Sequence, residues 1–412
     1  MKKVTYFGLL LAVALTGLSS CSSSDDVTSD PTNTKSGESR LTLTISTPVA
    51  KTSSAKGNSF AMGSRATDIT DANAPTEANE QQIHRITVGI FSAKDNTVRT
   101  IQELSSGSGI GKYTQESNSD KATATIVTSS LADKDIILVA CNAPTGTFNG
   151  VQTAAQFNAK TEDIDNSLAT EFGGTAGKSL VDHNIPMYGS AKLEADGENF
   201  KASVNVNHQT AKVTLTSLTV DFDQNGAYKD ASFTPTQIFL INVPNDLKFD
   251  TDAATGTSTL LQGYDNSNKD TYREYLSTPT ISATALSGAA TATSGNNFGK
   301  TYYFYTMPNN LTDKGVRTKL VIKGTFKANS SDKEGSTVYY PVPLNANYTN
   351  GTATAADGGS AFAVHANKNY KCTVTIKTKG AANPTDDVTP QQAAITVTVV
   401  PFTDAAQNTV FE

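Results

Sequence analysis

The chain has 412 residues, 37% of them hydrophobic, and a formal charge of -6. That length supports a substantial core and more than one domain, while the mild charge and the lack of a basic block or RNA-binding aromatic signature argue against nucleic acid as a partner. Trp is absent, Thr, Ser, Ala, Asn and Gly abound, and the aliphatic residues fall in short alternating runs, which predicts antiparallel β-sheet with polar outer faces.

Met1-Lys2-Lys3 and the apolar run Val4 to Leu18 form a secretory signal, with a basic start, a short greasy middle and small residues at its end. The run is short for a membrane span. It closes on Leu18-Ser19-Ser20-Cys21, which resembles the lipobox of bacterial lipoproteins; Cys21 is the expected lipidation site, because a thiol is needed there to carry the diacylglycerol. Ser22-Ser23-Ser24-Asp25-Asp26 is similar to the acidic tract of surface-exposed lipoproteins, although any polar tether has the same look. Residues 22–40 read as such a tether. Leu41-Thr42-Leu43-Thr44-Ile45 then alternates cleanly and predicts a first strand with Leu41, Leu43 and Ile45 on one face. Lys51 to Arg65 is an exposed Ser, Gly, Ala and Lys loop ending in Met62-Gly63-Ser64-Arg65-Ala66, where an Arg-specific protease can enter and cut after Arg65. Arg40 is the alternative cut.

The folded body begins at Ile83. Strands are expected at Ile86 to Phe91, with a turn at Asp95-Asn96, at Ala122 to Val127, and at Asp135 to Asn142, whose apolar middle suits a central position. Residues 150–172 have room for a short helix. Ala202 to Thr216 is strand material that contains the boundary between two β-domains, and later strands are expected at Gln237 to Val243, Tyr302 to Thr306, Lys319 to Phe326, Val338 to Leu344 and Tyr370 to Lys377. Lys379 to Pro390 is a linker of Gly, Ala, Asp and Pro that neither packs nor continues a ladder. Behind it, Ala394 to Phe402 is a strand with Ile395, Val397 and Val399 on one face, followed by a polar turn and Val410-Phe411. Tethered in this way, it is expected to reach a neighbour instead of folding back.

Signals of chemistry are weak. Cys141 and Cys372 sit in aliphatic strands and read as small buried hydrophobes, with a disulfide between them the weaker reading. His84, His183, His208 and His365 have no metal spacing and no nucleophile beside them. Asp221-Phe222-Asp223-Gln224-Asn225-Gly226 copies half a calcium loop, but Ser232 stands where its closing Glu belongs, and Asn225-Gly226 predicts a hairpin turn instead. Gly107-Ser108-Gly109-Ile110-Gly111-Lys112 lacks the first Gly and the final Ser or Thr of a phosphate loop. No catalytic constellation, metal or cofactor is expected.

The order of these features resembles the fimbrillins, the major subunits of the type V pili of Bacteroidetes. The shared features are the lipoprotein start, the early strand, the Arg65-Ala66 loop, Ile86 to Phe91, Ile136 to Asn142, the His208 to Leu215 crossing, Tyr339-Tyr340-Pro341-Val342, Asn367-Lys368-Asn369-Tyr370, and the end Ala394 to Phe402 with Gln407 to Phe411. The resemblance covers nearly the whole chain. It implies an all-β fold of two tandem antiparallel β-sandwich, transthyretin-like domains: a signal at 1–20, a tether and removable strand at 21–65, domains at 66–208 and 209–380, and a linker with donor strand at 381–412. It also implies a lipidated outer-membrane precursor, a cut between Arg65 and Ala66 by an Arg-specific surface protease, and a groove left by Leu41, Leu43 and Ile45. The strand carrying Ile395, Val397, Val399, Val400 and Phe402 of the next copy would fill that groove, giving a head-to-tail polymer that supports adhesion and takes accessory fimbrial subunits. The alternatives are an anchor or tip subunit, or a surface lipoprotein that binds glycans.

Overall fold

Short alternating runs became strands almost everywhere, because each buries one oily face and leaves Thr, Ser or Lys outside. The computed structural model describes residues 38–48, 80–115, 119–167, 184–250, 258–288, 296–349, 352–387 and 393–402. The expected signal, Cys21, Arg65-Ala66, His183 and Val410-Phe411 lie outside the described residues.

The first half of the chain gives β1 (Glu38–Ser46), β2 (Ile86–Phe91), β3 (Val98–Ser106), β4 (Lys112–Gln115), β5 (Lys121–Ser129), β6 (Ile136–Cys141), β7 (Thr161–Asp163), β8 (Met187–Lys192), β9 (Glu194–Asp196), β10 (Asn199–Asn205) and β11 (Asn207–His208). Two short helices, α1 (Ala154–Asn158) and α2 (Ile164–Ser167), fall inside the span expected to hold one. All of these strands except β7 belong to one 10-stranded sheet in the order β11-β8-β6-β2-β3-β4-β5-β1-β10-β9. The sheet curls over itself: Gly189 of β8 lies so close to β10 that a Cβ there would sit 2.2 Å from the Asn205 carbonyl oxygen. Inside the curl lies a core that includes Leu41, Leu43, Ile45, Ile86, Val88, Ile126, Val139 and Val204.

The second half gives β12 (Ala211–Val220), β13 (Ser232–Pro244), β14 (Asp246–Lys248), β15 (Leu260–Gln262), β16 (Leu286–Ser287), β17 (Tyr302–Thr306), β18 (Lys319–Lys327), β19 (Ser336–Pro343), β20 (Asn347–Thr349), β21 (Thr352–Thr354), β22 (Lys368–Ile376) and β23 (Ala393–Pro401). A 4-stranded sheet, β17-β12-β22-β23, faces a 5-stranded sheet built on β15-β13-β18-β19 with β16 beside β13. Leu215, Val374 and Val397 of the one share a core with Ile238, Leu320 and Val342 of the other. That core also takes in Phe91, Leu138, Phe148 and Phe157 from the outer face of the first sheet and its helices, and β7 pairs with β14, so the two halves are sewn together by packing and by strand pairing.

Most strand pairs are antiparallel as expected, with β1 and β10, β3 and β4, and β12 and β22 as parallel exceptions. Two expectations are corrected. Asn225-Gly226 is not a hairpin turn: β12 and β13 belong to different sheets, and residues 221–231 cross between them. Phe222 and Ala231 are buried at the two ends of that crossing, so apolar anchoring overrides the turn signal, and Asp223 merely closes an Asx turn through Asn225 N–H to its Oδ1 at 2.9 Å. The linker does pack. Tyr339 and Ala381 exchange backbone hydrogen bonds of 2.9 Å, Tyr340 Oη donates to the Thr378 carbonyl, and Asp387 is ion-paired.

Candidate functional site

The first candidate element is β1. It is an interior strand of the large sheet, antiparallel to β5 and parallel to β10, so that Leu41, Leu43 and Ile45 lie opposite Ile126, Ala124 and Ala122 on one side and Phe200, Ala202 and Val204 on the other. All three side chains are fully buried. At about 2 kcal/mol for each buried aliphatic side chain, the face contributes roughly 6 kcal/mol. Its C-terminal end is held by Val206 N–H to the Ser46 carbonyl (2.9 Å) and Thr47 N–H to the Asp120 carbonyl (2.8 Å). Taking β1 away would part β5 from β10 and leave two rows of unpaired backbone groups over an apolar trough. Arg40 lies within β1, opposite Val127.

The second element is the tail. β23 does fold back, against the expectation: it pairs antiparallel with β22 from Lys368↔Pro401 to Ile376↔Ala393 and forms the edge of the 4-stranded sheet. The reason is local. Ala393 and Val397 are buried and Ile395 and Val399 pack against the same core, so the oily face finds a home on its own subunit. The outer edge is gripped by one side chain: Asn347 Nδ2 donates to the Val397 carbonyl (2.9 Å) while its Oδ1 accepts from the Val397 N–H (2.7 Å), imitating a peptide unit of a neighbouring strand. The Val400 side chain lies outside the described residues.

Phe402, buried, fits a socket that the sequence did not advertise. Its ring stacks on Tyr305 (centroids 5.8 Å apart), lies 4.2 Å from the His208 ring, and has Lys212 Nζ 5.9 Å from its centroid. The three socket residues are held by Glu80. Its Oε1 accepts from Tyr305 Oη (2.6 Å) and Lys212 Nζ (2.7 Å), and its main-chain carbonyl accepts from His208 Nε2 (2.8 Å). Because a carbonyl only accepts, His208 carries its proton on Nε2. Burial, with a smaller push from the Lys212 charge, lowers the His208 pKa to about 4. Glu80, His208, Lys212 and Tyr305 were not singled out from sequence as a group. The only hint was a cluster of polar residues inside otherwise apolar runs, with Glu80 far away in the chain.

A charge clasp holds the linker. Asp387 pairs with Arg317 and with Lys319 Nζ (2.8 Å), and Lys319, fully buried, also donates to the Thr385 carbonyl (2.8 Å). Burial lowers the Lys319 pKa, against the pull of Asp387. Cys141 and Cys372 are both buried free thiols, in the first sheet and the 4-stranded sheet respectively, and burial pushes the Cys372 thiol up to about 12. Among the described residues no group of three or more His, Cys, Asp or Glu is placed to hold a metal ion.

No protein-family model and no curated protein matches the chain. Solved structures do. A proposed cell adhesion protein from Bacteroides eggerthii DSM 20697 is 20% identical, with a TM-score of 0.53 over 88% of this chain and 96% of that one. A proposed cell adhesion protein from Parabacteroides distasonis ATCC 8503 is 14% identical, with a TM-score of 0.56 over 90% and 98%. A fimbrilin from Porphyromonas gingivalis W83 is 14% identical, with a TM-score of 0.50 over 88% and 98%. At these identities the likeness establishes architecture, and over 88% of its length this chain has the fold of a fimbrilin.

Proposed function

We propose that this chain is a structural subunit of a cell-surface fimbria, supporting adhesion, and that it polymerises by strand exchange once a protease removes β1. The observation that carries the reading is the position of β1: a nine-residue strand between β5 and β10, followed in sequence by Arg65-Ala66 before the next strand begins. In this reading residues 66–208 and 209–380 are two β-sandwich domains. The precursor is held at the outer membrane by lipid on Cys21 until an Arg-specific surface protease cuts after Arg65. Arg40, inside a paired strand, is the poorer substrate, since a protease needs accessible extended chain. The cut leaves 412 - 65 = 347 residues and removes the lipid and β1 together.

The tail of a second copy matches the vacancy. β23 also has nine residues, and Ile395, Val397 and Val399 repeat the two-residue spacing of Leu41, Leu43 and Ile45, with Val400 and Phe402 as further apolar groups. Three aliphatic side chains replace three, so the exchange is nearly balanced in buried area. Proteolysis is therefore the trigger. While β1 is tethered, its effective concentration at the groove excludes a tail arriving from solution. Each subunit accepts one strand and donates another, a heterologous contact that does not close and so grows as a filament able to take accessory subunits at its ends.

The test is cleavage of purified precursor by an Arg-specific protease, followed by N-terminal sequencing and gel analysis. The expected product starts at Ala66 and forms a ladder of polymers; deletion of residues 393–412 should leave a folded monomer that stays monomeric after the cut. Polymers that keep β1, or that grow without the tail, would overturn the reading.

A further inference from the structure

The tail is docked at Val397 and again at Phe402, and at Phe402 it shares its surroundings with the segment just ahead of β2. Glu80 stands just ahead of the first strand after the processing loop, and Phe402 follows β23. Three groups that Phe402 packs against are fixed by Glu80: Tyr305 and Lys212 through the carboxylate, His208 through the main-chain carbonyl. The Phe402 N–H is bonded to the Asn367 carbonyl (3.1 Å), and Asn367 N–H in turn to the Thr210 carbonyl (2.8 Å), which ties the tip to the same crossing from β11 to β12.

Glu80 is buried with its carboxylate, and Lys212 is only 12% exposed. Losing the carboxylate leaves a nearly buried ammonium without that partner and removes the bond that fixes the Tyr305 hydroxyl, so the wall on which the Phe402 ring stacks loses one of its anchors. The grip on Phe402 thus depends on a residue more than three hundred positions earlier in the chain, 402 - 80 = 322.

We propose that Glu80 and Phe402 form a two-ended lock, through which the segment after the processing site holds the C-terminal strand on its own subunit. A tail held in cis cannot pair with a neighbour, so the lock is a brake on assembly. Loosening the segment around Glu80 releases the tail, and withdrawal of Phe402 loosens Glu80 in return, because coupling between two sites is reciprocal. The brake rests on the proposed donor role of β23; the lock itself does not.

The experiment is amide hydrogen exchange on the full-length unpolymerised chain, comparing wild type with Glu80→Ala, Phe402→Ala and the double variant. Amides of residues 393–400 should exchange about tenfold faster or more in each single variant, with those of β2 and β6 unchanged, and the double variant should be little faster than the faster single one. Glu80→Gln and Phe402→Leu keep shape at each end and guard against a variant that fails to fold; both should fall between wild type and the alanine forms. Unchanged exchange of 393–400 in Glu80→Ala, or effects that multiply in the double variant, would overturn the lock. After protease treatment the alanine variants should also polymerise faster. Faster tail exchange with unaltered assembly would leave the lock standing and remove β23 as the donor.

Discussion

His208 shows how a single buried group writes a pH dependence into the molecule. Its folded pKa of about 4 lies below its ordinary 6.5, so between those values the unfolded chain binds the proton and the folded one does not. The contribution of His208 is therefore fully present above pH 6.5 and is lost as pH falls toward 4, by an amount on the order of 3 kcal/mol. Denaturant melts at pH 7 and 4.5 should show this loss, and in His208→Gln, which keeps a donor for the Glu80 carbonyl, the difference should shrink. Asp387 makes a second prediction at this scale. Removing it strands two cations, Lys319 and Arg317, that are both buried, and Asp387→Ala should cost about 3 kcal/mol by chemical unfolding. Lys319→Met, which replaces the charge by apolar volume, should cost less.

For the elements, β1 and β23 have the same length and alternation and opposite situations. β1 is central and has two partner strands; β23 is an edge with one partner and the Asn347 amide. Leu43→Ala should thus destabilise the uncut chain by about 3 kcal/mol, since a fully buried Leu leaves a cavity between two strands that cannot close around it. Asn347→Ala should speed amide exchange at Val397 while leaving β12 protected, because only the outer row of hydrogen bonds on β23 is lost. A peptide of residues 393–412 supplies the same pattern in trans: it should raise the Tm of chain that has been cut and stripped of β1, and leave uncut chain unchanged, by binding only the form with a vacant groove. An equal shift in uncut chain would assign the peptide to some other surface.

At the scale of the whole molecule, the proposed exchange makes the uncut precursor a one-sided subunit. It can give its tail to an open groove but cannot accept one while β1 is in place, so adding uncut precursor to cut subunits should shorten the polymers, read as a gel ladder compressed toward low copy number. A precursor without residues 393–412 can neither give nor accept and should leave the ladder as it was. The single open contact also predicts chains in preference to closed dimers, since the groove and the strand are different surfaces and each copy that joins leaves one of each unused.

Short β-branched and aromatic runs were enough to place Ile86–Phe91 and Tyr302–Thr306 to the residue, and alternation of apolar and polar residues marked β1 and β23 as strands, because both are local properties of an extended backbone. The same local rule located the apolar faces Leu41, Leu43, Ile45 and Ile395, Val397, Val399. What it could not supply was a partner for either face. Which strand stands next to β1, and whether β23 turns home or outward, depends on contacts between residues that no local pattern links, and only the folded chain decides among them. The linker shows this most plainly: its Gly, Ala, Asp and Pro read as unpacked, yet Asp387 finds Lys319 and Arg317, two charges that sequence gives no reason to bury until a carboxylate arrives to pair with them. The Glu80 socket is the same case. Its members share no spacing, because what unites them is a place in space where a buried carboxylate, an ammonium and three rings satisfy one another.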